Sequence, residues 1–261
     1  MSRSAFAAAL LFAPAVVFAQ EGEAAAPDTG QQAKAAYEEL DRAFASAIKE
    51  WREEALRQMA EAQKNKKPRP SIADNPPIPK FIERAQQSAM QYAGEDGAIP
   101  FHGFVLKYAQ PQQAEAAKKA IVTLTLDHAA SAAIDQVLPY IGAAAELGAK
   151  DAVLELCGEV IDANESATAK AAALIERGKL RLADAENDAE RDAAKADLEQ
   201  VGKVTNDEAL VAKAEDALFE LRHLQVGCEV ADIVAKDVDG VEFKLSDYRG
   251  KAVLLDFWGF W

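Results

Sequence analysis

From Ala33 to Gln63 the apolar residues Tyr37, Leu40, Phe44, Ile48, Trp51, Ala55 and Met59 recur every three or four positions, with Glu, Lys and Arg between them. That period commits the stretch to one long amphipathic helix, because only a helix gathers those positions onto one face. A basic run, Lys64 to Lys67, and a proline-rich stretch with Pro68, Pro70, Pro76, Pro77 and Pro79 then interrupt it. Proline fixes φ and lacks an N–H, so this stretch is a loop in which the chain changes direction. Helical patterning returns over residues 79–93, 99–109, 112–126, 130–147, 149–163, 166–183, 187–202 and 206–224. Asp74, Gly94, Gly97, Pro111, Gly148, Asn164 and Asn206 fall at the joints, where caps and turns belong. Consecutive helices with short joints imply hairpins, so the expectation for residues 33–224 is a mainly α domain, an irregular helical hairpin array. It is tetratricopeptide-like at most, since neither a constant period of roughly 34 residues nor the signature Trp, Gly and Tyr positions can be found.

Composition agrees with helix and narrows function. Alanine makes up about a fifth of the chain and aromatic residues only 7%. With 43 acidic against 29 basic residues the net charge is -14, which repels phosphate backbones and argues against a nucleic-acid partner. Two cysteines build no disulfide framework, and three histidines offer no zinc spacing, so neither a metal nor a cofactor is expected. His102 and His128, near helix starts, have no histidine or carboxylate at i+3 or i+4 and read as capping or packed side chains. Cys157, on the apolar face of Val153-Leu154-Glu155-Leu156-Cys157, reads as a buried, inert thiol. A bond to Cys228 would need Cα atoms within about 7 Å and is not expected. The carboxylates alternate with bases as on solvated helix faces, and no acid–base pair stands out. An array of this kind either offers a concave surface to a peptide or protein, or is a packed domain that positions something else; the second is favoured.

The ends differ from the body. Residues 1–19 join Arg3 to an apolar run, Ala5 to Phe18, broken by Pro14 and closing on Val17-Phe18-Ala19. This reads as a signal peptide cleaved after Ala19, too short for a permanent span, and so as an exported protein of the periplasm or cell envelope. Residues 20–32 read as a disordered lead-in. At Val226 alanine-rich helix gives way to β-branched residues. Asp239-Gly240, between short extended runs, signals a hairpin with a two-residue turn, and Cys228 falls in the first short strand. Asp237 and Asp239 mimic the start of a calcium loop, but no glutamate follows at the required offset. Ala252-Val253-Leu254-Leu255-Asp256-Phe257-Trp258 is a continuous apolar run with one acid, the pattern of a strand covered on both faces.

The series Val226-Gly227, Ala231-Asp232-Ile233, Asp239-Gly240, Leu245 to Lys251 and Leu254-Leu255-Asp256-Phe257-Trp258-Gly259-Phe260-Trp261 resembles the opening of a thioredoxin-fold redoxin. The nearest groups are the exported TlpA-like thiol-disulfide oxidoreductases and the alkyl hydroperoxide reductase/thiol-specific antioxidant family. It departs from the family pattern at Ala231, where a proline is usual, and at Ile233, where an aromatic is usual. The resemblance implies that residues 225–261 are the first strands of an α/β thioredoxin-like domain. It implies a buried, proton-moving acid at Asp256, and an apolar wall at Phe257, Trp258 and Trp261 beside a Cys-x-x-Cys motif whose first residue would follow Trp261 directly. The partners it implies are disulfide-bearing proteins or a thioredoxin-type electron donor.

Neither cysteine of that motif lies within these 261 residues, so the chain as given is expected to lack thiol exchange. Four origins stay open: an arbitrary fragment, a sequencing error, a nonsense truncation, or a UGA codon for selenocysteine read as stop. The last is favoured chemically, since a selenol ionises below neutral pH and both attacks and leaves better than a thiol. The rival expectation makes the helical array the functional part, binding a peptide or protein, with a vestigial redoxin tail.

Overall fold

The computed structural model describes residues 28–183, 185–256 and 258–259, so the expected leader lies outside the described residues. The helical body comprises α1 (Thr29–Lys64), α2 (Ile78–Gln91), α3 (Ile99–Tyr108), α4 (Ala114–Thr123), α5 (Ile141–Ala144), α6 (Lys150–Ala163), α7 (Ala167–Ala183), α8 (Asp188–Val204) and α9 (Glu208–His223). One antiparallel pair follows, β1 (Val234–Lys236) and β2 (Glu242–Lys244), so the chain is mainly α and then turns to β.

The long first helix begins earlier than its periodicity indicates. Residues 29–32, expected to be disordered, are helical, and Gln32 N–H already bonds the Asp28 carbonyl at 3.0 Å. Burial of Ala33, on the same face as Leu40 and Phe44, draws the first turn in. The proline loop is pinned back onto this helix by Trp51, whose indole N–H donates to the Ile72 carbonyl at 2.8 Å.

Helix α3 lies at the centre because almost nothing on it is polar: Ile99, Phe101, Phe104, Val105 and Leu106 are all buried. Phe44 of α1 meets Phe81 of α2, Phe104 and Tyr108 at ring-centroid distances of 5.2, 5.1 and 4.5 Å, joining three helices through one aromatic cluster. One continuous apolar core runs from Ala33 to Ala173, and two smaller clusters join α7, α8 and α9. The first half is therefore a packed domain, to which successive helices are added, α7 on α6, α8 on α7 and α9 on α8.

Residues 130–147 depart from the single helix expected there. Pro139 offers no N–H, so a continuous α-helix would lose a bond and clash with the preceding turn. The chain instead forms 3-10 turns at Ala132–Gln136 and Leu138–Tyr140, then the short α5. The stretch after Thr123 likewise widens into a π turn, Leu124–His128.

Two polar groups do structural work that the pattern of charges hides. Asn164 is buried between α6 and α7; its amide donates to the carbonyls of Ala129 (2.7 Å) and Ser131 (2.8 Å), while its oxygen accepts from Ser166 N–H (2.8 Å). Asp197 of α8, expected on a solvated face, is buried. Its carboxylate accepts from Arg177 Nε (3.0 Å) and Nη2 (2.7 Å) and from Arg181 Nη1 (2.7 Å), both on α7. The two helices approach closely at Gly178, where a Cβ would stand only 2.8 Å from Leu198 Cγ.

Candidate functional site

The segment that carries the redoxin-like motifs starts where α9 ends. Cys228 is not in a strand. It sits in an exposed bend, its thiol 3.6 Å from the Leu221 carbonyl, because the backbone first turns at Gly227, where φ is +92°. The Glu229 carbonyl accepts from His223 Nδ1 at 3.0 Å, and the Glu229 carboxylate pairs with Arg249. The start of the segment is thereby tied to α9 on one side and to its own later turn on the other.

The hairpin is present, with a different turn from the one expected. Val234 pairs with Lys244, Ala235 with Phe243 and Lys236 with Glu242. Asp237 N–H bonds the Val241 carbonyl at 2.9 Å, leaving a three-residue loop of Val238, Asp239 and Gly240. Only Gly240 takes a positive φ, +80°, the requirement of a bulged three-residue loop, whereas a two-residue turn would need it at Asp239 as well. Asp237 supplies the reason: its Oδ1 accepts from the N–H groups of Asp239 and Val241, both at 2.9 Å, so it is spent on the turn.

Asp232 and Ser246 close the base of the hairpin. Ser246 N–H donates to Asp232 Oδ1 and Ser246 Oγ to Asp232 Oδ2, both at 2.8 Å, and Leu245 N–H reaches the Ile233 carbonyl at 2.9 Å. The backbone and side-chain hydrogen bonds from Ser246 hold the Asp232 carboxyl below the usual aspartate range. Both residues belong to the motif series, yet nothing in their separation in sequence announced the contact. Asp247 Oδ2 then accepts from Lys244 N–H at 2.9 Å, starting the 3-10 turn Leu245–Tyr248.

Beyond Lys251 the expected strand is not formed among the described residues. Residues 252–256 pair with nothing in a sheet; Leu254 is 94% exposed and Asp256, the acid that the resemblance implies is buried, is exposed as well. A strand covered on both faces needs ladder partners at its edges and layers on its faces, and no described element supplies them. Trp258 is 74% exposed, and Phe257 and Trp261 lie outside the described residues.

Elsewhere, the two cysteines are apart in character: Cys157 is buried and Cys228 exposed, and both are free thiols. Burial, reinforced by Glu176, pushes the Cys157 thiol up to about 12. His102 and His128, treated separately in the sequence, come together with ring centroids 6.2 Å apart. His128 ends the π turn after α4 instead of starting a helix. Burial, aided by the other ring, lowers His102 to about 4, and burial also lowers His128, whose buried Nε2 has no hydrogen-bond partner. Among the described residues no group of three or more His, Cys, Asp and Glu side chains could hold a metal ion. No helix there is long and apolar enough to cross a membrane.

Comparison with known proteins places one short likeness beside this geometry. The chain is 53% identical over 36 residues to the thiol-disulfide oxidoreductase ResA of Geobacillus thermodenitrificans, covering 14% of this chain and 21% of that protein. It is 56% identical over 36 residues to the ResA of Geobacillus kaustophilus, with the same coverage, and 40% identical over 38 residues to that of Bacillus thuringiensis subsp. konkukian, covering 15% and 22%. The chain thus spans about a fifth of the length of the curated relatives it matches. No family model matches the chain, and no solved structure matches it. The likeness supports a thioredoxin-like redoxin segment and nothing narrower.

Proposed function

We propose that this chain carries the opening of an exported thiol-disulfide oxidoreductase or peroxide-reducing redoxin domain, mounted on a helical body. The observation that supports this best is the conjunction of the short ResA likeness with the Asp232–Ser246 clasp, which joins two of the quoted motifs into one folded hairpin. On this reading the reactive group follows Trp261, at the start of a helix whose dipole lowers its pKa. Its thiolate or selenolate attacks a substrate disulfide, one substrate sulfur leaves as a thiolate, and the second cysteine of the motif then attacks the mixed disulfide and releases the reduced substrate. Asp256 serves as the proton-moving acid, and Phe257, Trp258 and Trp261 wall the reactive group. Disulfide-bearing proteins are the substrates and a thioredoxin-type donor returns the electrons. Cys228 cannot take this part: it has no neighbouring cysteine and sits in a bend with Glu229 beside it.

The test is to read the gene through the codon after Trp261 and express the product with selenocysteine or cysteine at that position, followed in frame by x-x-Cys. Insulin-disulfide reduction is expected from the extended protein, none from residues 1–261, and none when the new first cysteine is changed to serine. A frame without a cysteine or selenocysteine there, or an extended folded protein without turnover, overturns the proposal.

A further inference from the structure

Helices α2 and α4 both pack on α3 and leave a cleft between them of about 260 Å³. Its apolar surface comes from Ala89 and Met90 of α2, Val105 of α3 and Ala120 of α4. Its volume falls just under the ~300–1,000 Å³ of pockets that take drug-sized ligands, which restricts an occupant to a small molecule. Met90, 72% exposed at the edge, supplies a flexible, polarisable wall.

Of the four polar side chains that line this space, Gln86, His102, Lys119 and Thr123, the histidine and the lysine can recognise an anion, and neither is satisfied among the described residues. Lys119 of α4 is exposed and makes no ion pair or hydrogen bond among the described residues, in a chain whose net charge is -14. The His102 ring lines the same cleft from α3, and neither of its nitrogens hydrogen-bonds within the described residues. His128 lies beside it and its buried Nε2 is likewise without a partner. A neutral imidazole keeps one N–H to donate, and an ammonium at the rim favours an anion; an apolar cavity with such a pair fits a ligand with an aliphatic chain and an anionic head.

We propose that the cleft between α2, α3 and α4 binds a small aliphatic carboxylate, its chain against Ala89, Met90, Val105 and Ala120 and its head group taken by Lys119 and the His102 imidazole. The site is independent of the redoxin segment and gives the helical body a ligand of its own.

Octanoate is the probe, titrated into the full chain while the ring-proton NMR signal of His102, assigned by comparison with His102→Gln, is followed. A saturable shift is expected. The His102 pKa should rise from about 4 when octanoate is bound, since a carboxylate favours the imidazolium over the opposing effects of burial and His128. Lys119→Met should weaken binding about tenfold, and octanol, which lacks the charge, should bind at least about tenfold more weakly than octanoate. Ala93→Trp, at an exposed position on the rim, should abolish binding with the far-UV circular dichroism unchanged. No saturable shift at millimolar octanoate, unchanged affinity in folded Ala93→Trp, or equal binding of octanol would each overturn the proposal.

Discussion

Replacing Asp197 with alanine tests whether the buried charge cluster between α7 and α8 holds the second half of the body together. Asp197 is 4% exposed, and its carboxylate accepts three N–H donors, two from Arg177 and one from Arg181. Removing it strands Arg177, whose side chain is 18% exposed. Breaking a wholly buried pair costs about 3–5 kcal/mol, but Arg181 is 37% exposed and can turn to water, so about 2–3 kcal/mol is expected. For a body of this size that corresponds to a fall in Tm of roughly 4–12 °C. Urea and thermal unfolding followed by far-UV circular dichroism measure it. The double variant Asp197→Leu with Arg177→Met removes the carboxylate together with the more buried of its two arginine partners, and should recover most of the loss because the desolvation cost of that pair goes with it while Arg181 turns to water. A single variant within about 0.5 kcal/mol of the parent, or a double variant less stable than the single one, would refute the argument; the first would put the cluster among solvated surface pairs.

The Asp232–Ser246 clasp should fail in acid. Because the Asp232 carboxyl lies below its unfolded range, the clasp is complete above about pH 4 and is lost as pH falls through the depressed folded value, and the Ser246 amide shift should report this titration; Asp232→Asn should remove it. The two thiols should separate kinetically at neutral pH: iodoacetamide should modify exposed Cys228 within minutes and leave Cys157 until denaturant is added, and rapid modification of Cys157 in the native protein would contradict its packing. Limited proteolysis should cut first beyond Leu224 and leave a resistant helical body; a C-terminal segment as resistant as α3 would mean that some element covers it.

Much of the body was legible because its signal is local. The spacing of Leu40, Phe44 and Ala55 places α1, and Gly148, Asn164 and Pro111 do mark joints. What escaped was set by distance in the chain. Asp197 looks like an ordinary surface carboxylate, and Asn164 like an ordinary joint residue, until Arg177 and Arg181 of α7 close on the one and the Ala129 and Ser131 carbonyls on the other. His102 and His128 likewise meet only because α3 packs against the turn that follows α4. The segment 130–147 failed for a local reason, since Pro139 alone should have split the helix, whatever the apolar period of its neighbours.

The C-terminal segment divides along the same line. The turn at Gly240, the clasp of Asp232 with Ser246 and the pairing of β1 with β2 need only residues within the segment, and all are formed. The run Val253-Leu254-Leu255 needs partners from elsewhere, and these side chains remain 47%, 94% and 45% exposed. Full burial of one such side chain contributes about 1.5–3 kcal/mol, so flanking strands and a covering layer would gain several kcal/mol from these three residues alone. The exposed run and the redoxin reading therefore bear on each other. On the proposed redoxin reading, the layers that such a strand requires would come from a larger sheet, the one in which the proposed chemistry would also find its reactive group.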